Sequence, residues 1–131
     1  MVKVTIVEDE KAAAQELESL VLEYFREKQR DCTVSRYESA LYFFDAYRAD
    51  FDLVFMDIDM PDIDGPHAAA KLREKDATVL LVFVTNMQQY AVKGYSVNAL
   101  DFIIKPPARA TFFPLMDKVQ RILDTRTGID I

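Results

Sequence analysis

Six side chains with reactive or charge-bearing ends stand where apolar runs give out. Glu8 and Asp9 follow Val2 to Val7, Asp57 and Asp59 follow Phe51 to Met56, Thr85 follows Val79 to Val84, and Lys105 follows Ala99 to Ile104. Taken singly, each has an ordinary explanation. Acids ahead of a helix cap its N–H groups and suit its dipole, Asp-Met-Pro and Asp-Gly are turn chemistry, a threonine can end a strand, and a lysine can reach to solvent. Taken together, at one edge of one sheet, they define a chemistry. Glu8, Asp9 and Asp57 crowded together repel and raise their own pKa values unless a cation shares the pocket. All-oxygen ligands with no His or Cys nearby suit Mg2+, which binds phosphate oxygens readily. An aspartate at such a site is a nucleophile towards phosphorus, giving an aspartyl-phosphate at Asp57. Lys105 and the metal then neutralise the transferring group, and the Thr85 hydroxyl donates to one of its oxygens.

That edge exists only if the intervening chain builds it. The runs Val2 to Val7, Thr33 to Tyr37, Phe51 to Met56, Val79 to Val84 and Ala99 to Ile104 read as five strands. Between and after them, helical spacing marks Ala13 to Tyr24, Ala40 to Tyr47 and Phe112 to Leu123. A further helix is expected to begin near Gly65-Pro66, and another between Gln88 and Ser96. Strict alternation predicts an α/β fold, a doubly wound, mainly parallel five-stranded sheet with helices on both faces. The first, third and fourth strands are apolar almost throughout, as central strands covered on both sides are. Ligands in such sheets sit beyond the carboxyl ends of the strands, which is where the six side chains fall.

Composition narrows the rest. At 131 residues and 50% apolar, the chain suits one hydrophobic core. No apolar run approaches the roughly 18 residues of a membrane span, and the N-terminus lacks a secretory pattern, so the expectation is a cytoplasmic domain with no membrane partner. A net charge of −6 disfavours direct nucleic-acid binding. The lone Cys32 is expected to be a small buried residue, and the single histidine, His67, a surface one. The aromatics Tyr37, Tyr42, Phe43, Phe44 and Tyr47 are expected mostly in the core, with an exposed Tyr42 available to a partner.

From Lys3 to about Leu123 this arrangement resembles the response-regulator receiver domain. The resemblance rests on the acidic pair Glu8-Asp9, Asp57 followed by Met60-Pro61 and Asp64-Gly65, Thr85, and Lys105-Pro106. It implies a (βα)5, flavodoxin-like sheet in the order 2-1-3-4-5, and a signalling module that is not an enzyme. It further implies that Asp9, Asp57 and the backbone carbonyl of Asp59 hold Mg2+, with Glu8 reaching it directly or through water. Other implications are a cis Lys105–Pro106 bond, a switch pair of Thr85 and Phe102, and phosphorylation of Asp57 by a histidine kinase. The resemblance places the switched surface near the fourth helix, fifth strand and fifth helix, where phosphorylation would promote a homodimer.

Thr85 to Ala91 and Val97 to Phe102 look most like receivers of the LytTR class (LytR/AgrA-type), which are usually joined to a β-rich DNA-binding domain. On that reading residues 1–124 are the receiver, 125–131 begin a linker, and DNA is reached only through an output domain. Asn86, Pro107, Phe102 in place of the commoner Tyr, and the extra carboxylate of Asp59 depart from the usual family pattern. Two rivals stand beside this reading. Asp57-Ile58-Asp59 also resembles the start of haloacid dehalogenase-type phosphatases, although Met60-Pro61 departs from them and the chain has no room for their cap. The other rival is a receiver-like interaction module that no longer uses phosphorylation.

Overall fold

The computed structural model describes residues 1–48, 50–58, 65–86 and 99–126. The helix expected between Gln88 and Ser96, together with Asp59, Met60-Pro61, Asp64 and residues 127–131, lies outside them.

Five parallel strands form one sheet in the order β2-β1-β3-β4-β5, comprising β1 (Val2–Val7), β2 (Cys32–Tyr37), β3 (Leu53–Asp57), β4 (Leu80–Thr85) and β5 (Asp101–Ile104). Every residue of β3 and β4 is buried, as the unbroken apolar runs require of strands covered on both faces. The helices are α1 (Lys11–Glu27), α2 (Ala40–Ala46), α3 (Gly65–Lys75) and α4 (Arg109–Arg126).

Alternation along the strands divides the core in two. Val4, Ile6, Leu53, Phe55, Val82 and Val84 face α1 and α4, where Leu17, Val21, Phe112 and Met116 meet them. Val54, Met56, Leu81 and Phe83 face the other way, onto Ala40, Phe43, Ala68 and Leu72 of α2 and α3. Phe55 stacks on Phe112 with ring centroids 5.8 Å apart, tying the central strand to α4. Burying a side chain of this size contributes about 1.5–3 kcal/mol, so it takes the summed burial along a whole helix face to offset the entropy lost in ordering it.

Helix ends follow local rules. Ser39 caps α2 by accepting the Tyr42 N–H at 3.1 Å, and Tyr47, expected within the helical pattern, is instead the extended residue that ends it. At the end of α1 the Arg30 N–H donates to the Phe25 carbonyl and the Gln29 N–H to that of Arg26, a Schellman turn. Gln29 there has φ 56°, a left-handed position that glycine fills more cheaply. This turn aims Arg30 at α4, where its two Nη atoms donate to both Asp124 carboxylate oxygens at 2.9 and 3.0 Å. The apolar pattern stops at Leu123, but the helix continues to Arg126, because Asp124 is turned inward against that guanidinium.

Tyr37, Phe43, Tyr47 and Phe51 pack ring against ring beside α2, while Tyr42 is exposed. His67 is exposed, and Cys32 opens β2 half-buried.

Candidate functional site

The parallel sheet brings the carboxyl ends of its strands to one edge, and most of the expected residues meet there. β1 gives out after Val7, so Glu8 and Asp9 emerge from the sheet before α1 begins. The Glu8 N–H still pairs with the Tyr37 carbonyl at 3.0 Å, fixing where the acidic pair leaves. Asp57 is the last residue of β3, opposite Val84 in the β3–β4 register. Thr85 closes β4, and its carbonyl accepts the Lys105 N–H at 2.8 Å just beyond β5. The Lys105–Pro106 peptide is cis.

Glu8, Asp9 and Asp57 each offer a carboxylate oxygen, and the three oxygens lie within 4.8 Å of one another. Glu8 and Asp57 are buried, 4% and 3% exposed, while Asp9 is exposed at the mouth. Lys105 reaches in between them, Nζ lying 2.5 Å from Glu8 Oε1 and 3.3 Å from Asp57 Oδ2. Glu8 Oε2 also accepts the Glu10 N–H at 3.2 Å.

Burial, and next the hydrogen bond and charge of Asp57, push the Glu8 carboxyl up to about 7 against the pull of Lys105. Burial also works against the charge of Lys105, but hydrogen bonding to Glu8 and the negative charge of Asp57 prevail and hold its pKa above the ordinary value. Burial disfavours the charged form of each group, and their neighbours decide the rest. Lys105 faces two carboxylates, whereas Glu8 faces a carboxylate as well as an ammonium. Three carboxylates against one lysine leave a surplus of negative charge with all-oxygen donors and one exposed member, a set that fits a hard divalent cation.

Thr85 is fully buried. Phe102 is half-buried against the α2–α3 side of the core, in register with Phe83 of β4, and Thr85 lies two residues beyond Phe83 on the same alternation. The two expected switch residues therefore belong to one face of the sheet. Asp59, assigned a backbone ligand role, lies outside the described residues. Asn86 is exposed and, with Glu8, Lys105, Pro106 and Pro107, borders a groove of about 250 Å³ against the start of α1.

Arg36 was not picked out by the residue pattern. Its Nε and Nη2 donate to the Glu8 carbonyl at 3.3 and 3.1 Å, and Nη2 also donates to the Asp9 carbonyl at 3.2 Å. The signal is the parallel pairing of β2 with β1, in which Arg36 lies opposite Ile6. A sequence read strand by strand does not contain that register.

Residues 4–116 match the family described as response regulator receiver domain, and the chain belongs to that family. It is 26% identical over 131 residues to the sensory transduction protein LytT of Oceanobacillus iheyensis, covering 95% of this chain and 50% of that protein. It is 31% identical over 134 aligned positions to the sensory transduction protein LytR of Streptococcus agalactiae, covering 98% of this chain and 52% of that one. The chain thus spans about half the length of the curated relatives it matches. Among solved structures, the response regulatory domain of protein mrkE from Klebsiella pneumoniae superposes with a TM-score of 0.80 at 26% identity, covering 95% of this chain and 99% of that one.

The chain is therefore the receiver domain of a two-component response regulator, with LytT- and LytR-type relatives. Receiver domains are signalling modules rather than enzymes, which sets aside the phosphatase alternative. They bind Mg2+ at an acidic site and are phosphorylated by histidine kinases, and this chain carries the acidic cluster. Among the described residues no helix is long and apolar enough to cross a membrane.

Proposed function

We propose that Asp57 is the phosphoryl acceptor of a phosphorylation switch. The observation that carries this reading is the buried Asp57 carboxylate, grouped with Glu8 and Asp9 and faced by the Lys105 ammonium at 3.3 Å. In the step, an Asp57 carboxylate oxygen attacks phosphorus; the O–P bond forms as the P–N bond to the kinase histidine breaks, and the imidazole leaves. Lys105 sits where it offsets charge on the transferring group, and the Thr85 hydroxyl donates to a phosphoryl oxygen. Asp9, Asp57 and, by resemblance to the family, the Asp59 carbonyl would hold Mg2+, with Glu8 reaching it directly or through water, and the ion would further neutralise the phosphoryl oxygens.

The added charge then biases a two-state surface. Thr85 moves towards the phosphoryl group, Phe102 turns inward, and the surface that includes β5 and α4 favours a homodimer. The shared sheet face of Thr85 and Phe102 supports this coupling. Output passes to a LytTR-type DNA-binding domain, and the receiver works in the cytoplasm. The half-length match to LytT and LytR is consistent with such a longer regulator.

Intact mass after incubation with acetyl phosphate, with and without Mg2+, tests the acceptor. The expected result is a Mg2+-dependent gain of about 80 Da, one phosphoryl group, in the wild type and none in Asp57→Asn. An equal gain in the variant removes Asp57 as acceptor. Identical self-association of phosphorylated and unphosphorylated chains at all concentrations removes the dimer.

A further inference from the structure

We propose that Arg36 is a positioning residue for the acidic pair, holding the Glu8–Asp9 backbone in the one conformation that turns both carboxylates towards Asp57. The inference rests on the Mg2+-dependent reading of that cluster and adds a residue from the neighbouring strand to it.

The case starts from where β1 stops. Beyond Val7 the carbonyls of Glu8 and Asp9 have left the β ladder, while α1 begins only at Lys11 and its N-cap Glu10 makes no side-chain cap bond. A short link between strand and helix needs partners for its carbonyls, and a link carrying adjacent carboxylates next to a third is strained by their repulsion. Arg36 answers both needs from β2. One guanidinium spans the two consecutive carbonyls with three contacts of 3.1–3.3 Å. On the other side the Glu8 N–H is tied to Tyr37. Glu8 is thus clamped through both its amide and its carbonyl by adjacent residues of β2.

The guanidinium bonds to the backbone of the pair, leaving the Glu8 side chain to Lys105 and to the Glu10 N–H. That division distinguishes Arg36 from a surface arginine neutralising a carboxylate. Its planar fork can serve two acceptors at once, which a lysine ammonium does with less directional definition. Arg36 lies half-buried in an edge strand, so its replacement leaves the two core clusters untouched.

The variants are Arg36→Met and Arg36→Lys. Calorimetric titration with Mg2+ is expected to show affinity about tenfold weaker in Arg36→Met, the loss typical when an outer partner of a metal ligand is removed, with Arg36→Lys recovering part of it. Positioning is also read without metal, by amide hydrogen exchange at Glu10, whose N–H donates to Glu8 Oε2. Exchange there is expected to be about tenfold faster in Arg36→Met while the amides of β3 and β4 are unchanged, which separates a local release from general destabilisation.

Unchanged exchange at Glu10, or wild-type Mg2+ affinity in Arg36→Met, overturns the proposal. So does equal acceleration across β3 and β4. If the wild type itself neither binds Mg2+ nor gains a phosphoryl group, the functional reading fails, and the Glu10 exchange still decides whether Arg36 holds the pair.

Discussion

Replacing Asp76 with alanine is expected to destabilise the domain by about 2–3 kcal/mol at neutral pH. Four hydrogen bonds converge on that carboxylate. Tyr47 Oη donates to Oδ2 at 2.6 Å, while the Thr78 and Val79 N–H groups and Thr78 Oγ1 donate to Oδ1 at 3.0, 3.1 and 3.3 Å. The two Thr78 bonds are exposed, and water replaces them at little cost. The Tyr47 and Val79 bonds are partly buried, and at about 1–1.5 kcal/mol each they account for the total. Asp76 thus joins the end of α2 to the turn between α3 and β4, and β4 carries Thr85 at its far end.

Burial pushes the Asp76 pKa up, but the hydrogen bonds from Tyr47, Thr78 and Val79 outweigh it and hold the carboxyl below its ordinary value. A carboxyl depressed in the folded state stabilises fully above its unfolded pKa, near 4, and loses that contribution as pH falls through the lower folded value. The gap between wild type and Asp76→Ala should therefore be complete at pH 7.5 and shrink below about pH 4. Urea unfolding followed by circular dichroism measures it, and at this chain length the loss corresponds to roughly 8–12 °C in Tm. A gap below about 0.5 kcal/mol at pH 7.5, or one constant down to pH 3, would refute the reasoning.

Two further predictions concern the site and the core. Lys105→Met should slow Mg2+-dependent labelling of Asp57 by acetyl phosphate about a hundredfold, since it removes a cation placed for the transferring charge; a time course of intact mass reads the rate, and wild-type labelling would exclude that role. Gln120 is buried in α4, and its Oε1 has no hydrogen-bond partner among the described residues. Gln120→Met keeps the shape and removes the orphaned acceptor, so stability should rise by about 1 kcal/mol, seen as a Tm gain of roughly 3–5 °C, and a fall in Tm would show that this oxygen is satisfied in solution.

The local chain determined a good deal by itself. β3 and β4 were legible because a strand covered on both faces is apolar along nearly all its length, as Leu53 to Met56 and Leu80 to Val84 are. Asp57, Thr85 and Lys105 were legible for a related reason: a polar residue ending such a run falls at the edge where the strands of a doubly wound sheet present their ligands. Boundaries were less so. Phe51 joins an aromatic cluster ahead of β3, and Tyr47 leaves α2 to meet Asp76, choices made by partners distant in sequence.

Tertiary structure alone decided the rest, because the deciding contacts join residues far apart along the chain. Lys105 meets Glu8 across 97 positions, so the acidic pair contains a lysine partner as well as a candidate cation site. Asp124 faces inward because the turn after α1 delivers Arg30 to it, and α4 consequently outruns its apolar pattern. Arg36 reaches the Glu8 and Asp9 carbonyls only through the register of β2 against β1. Periodicity says which face of a strand is buried, but the residue that lies beside another strand's end is fixed by pairing, which only the assembled sheet supplies.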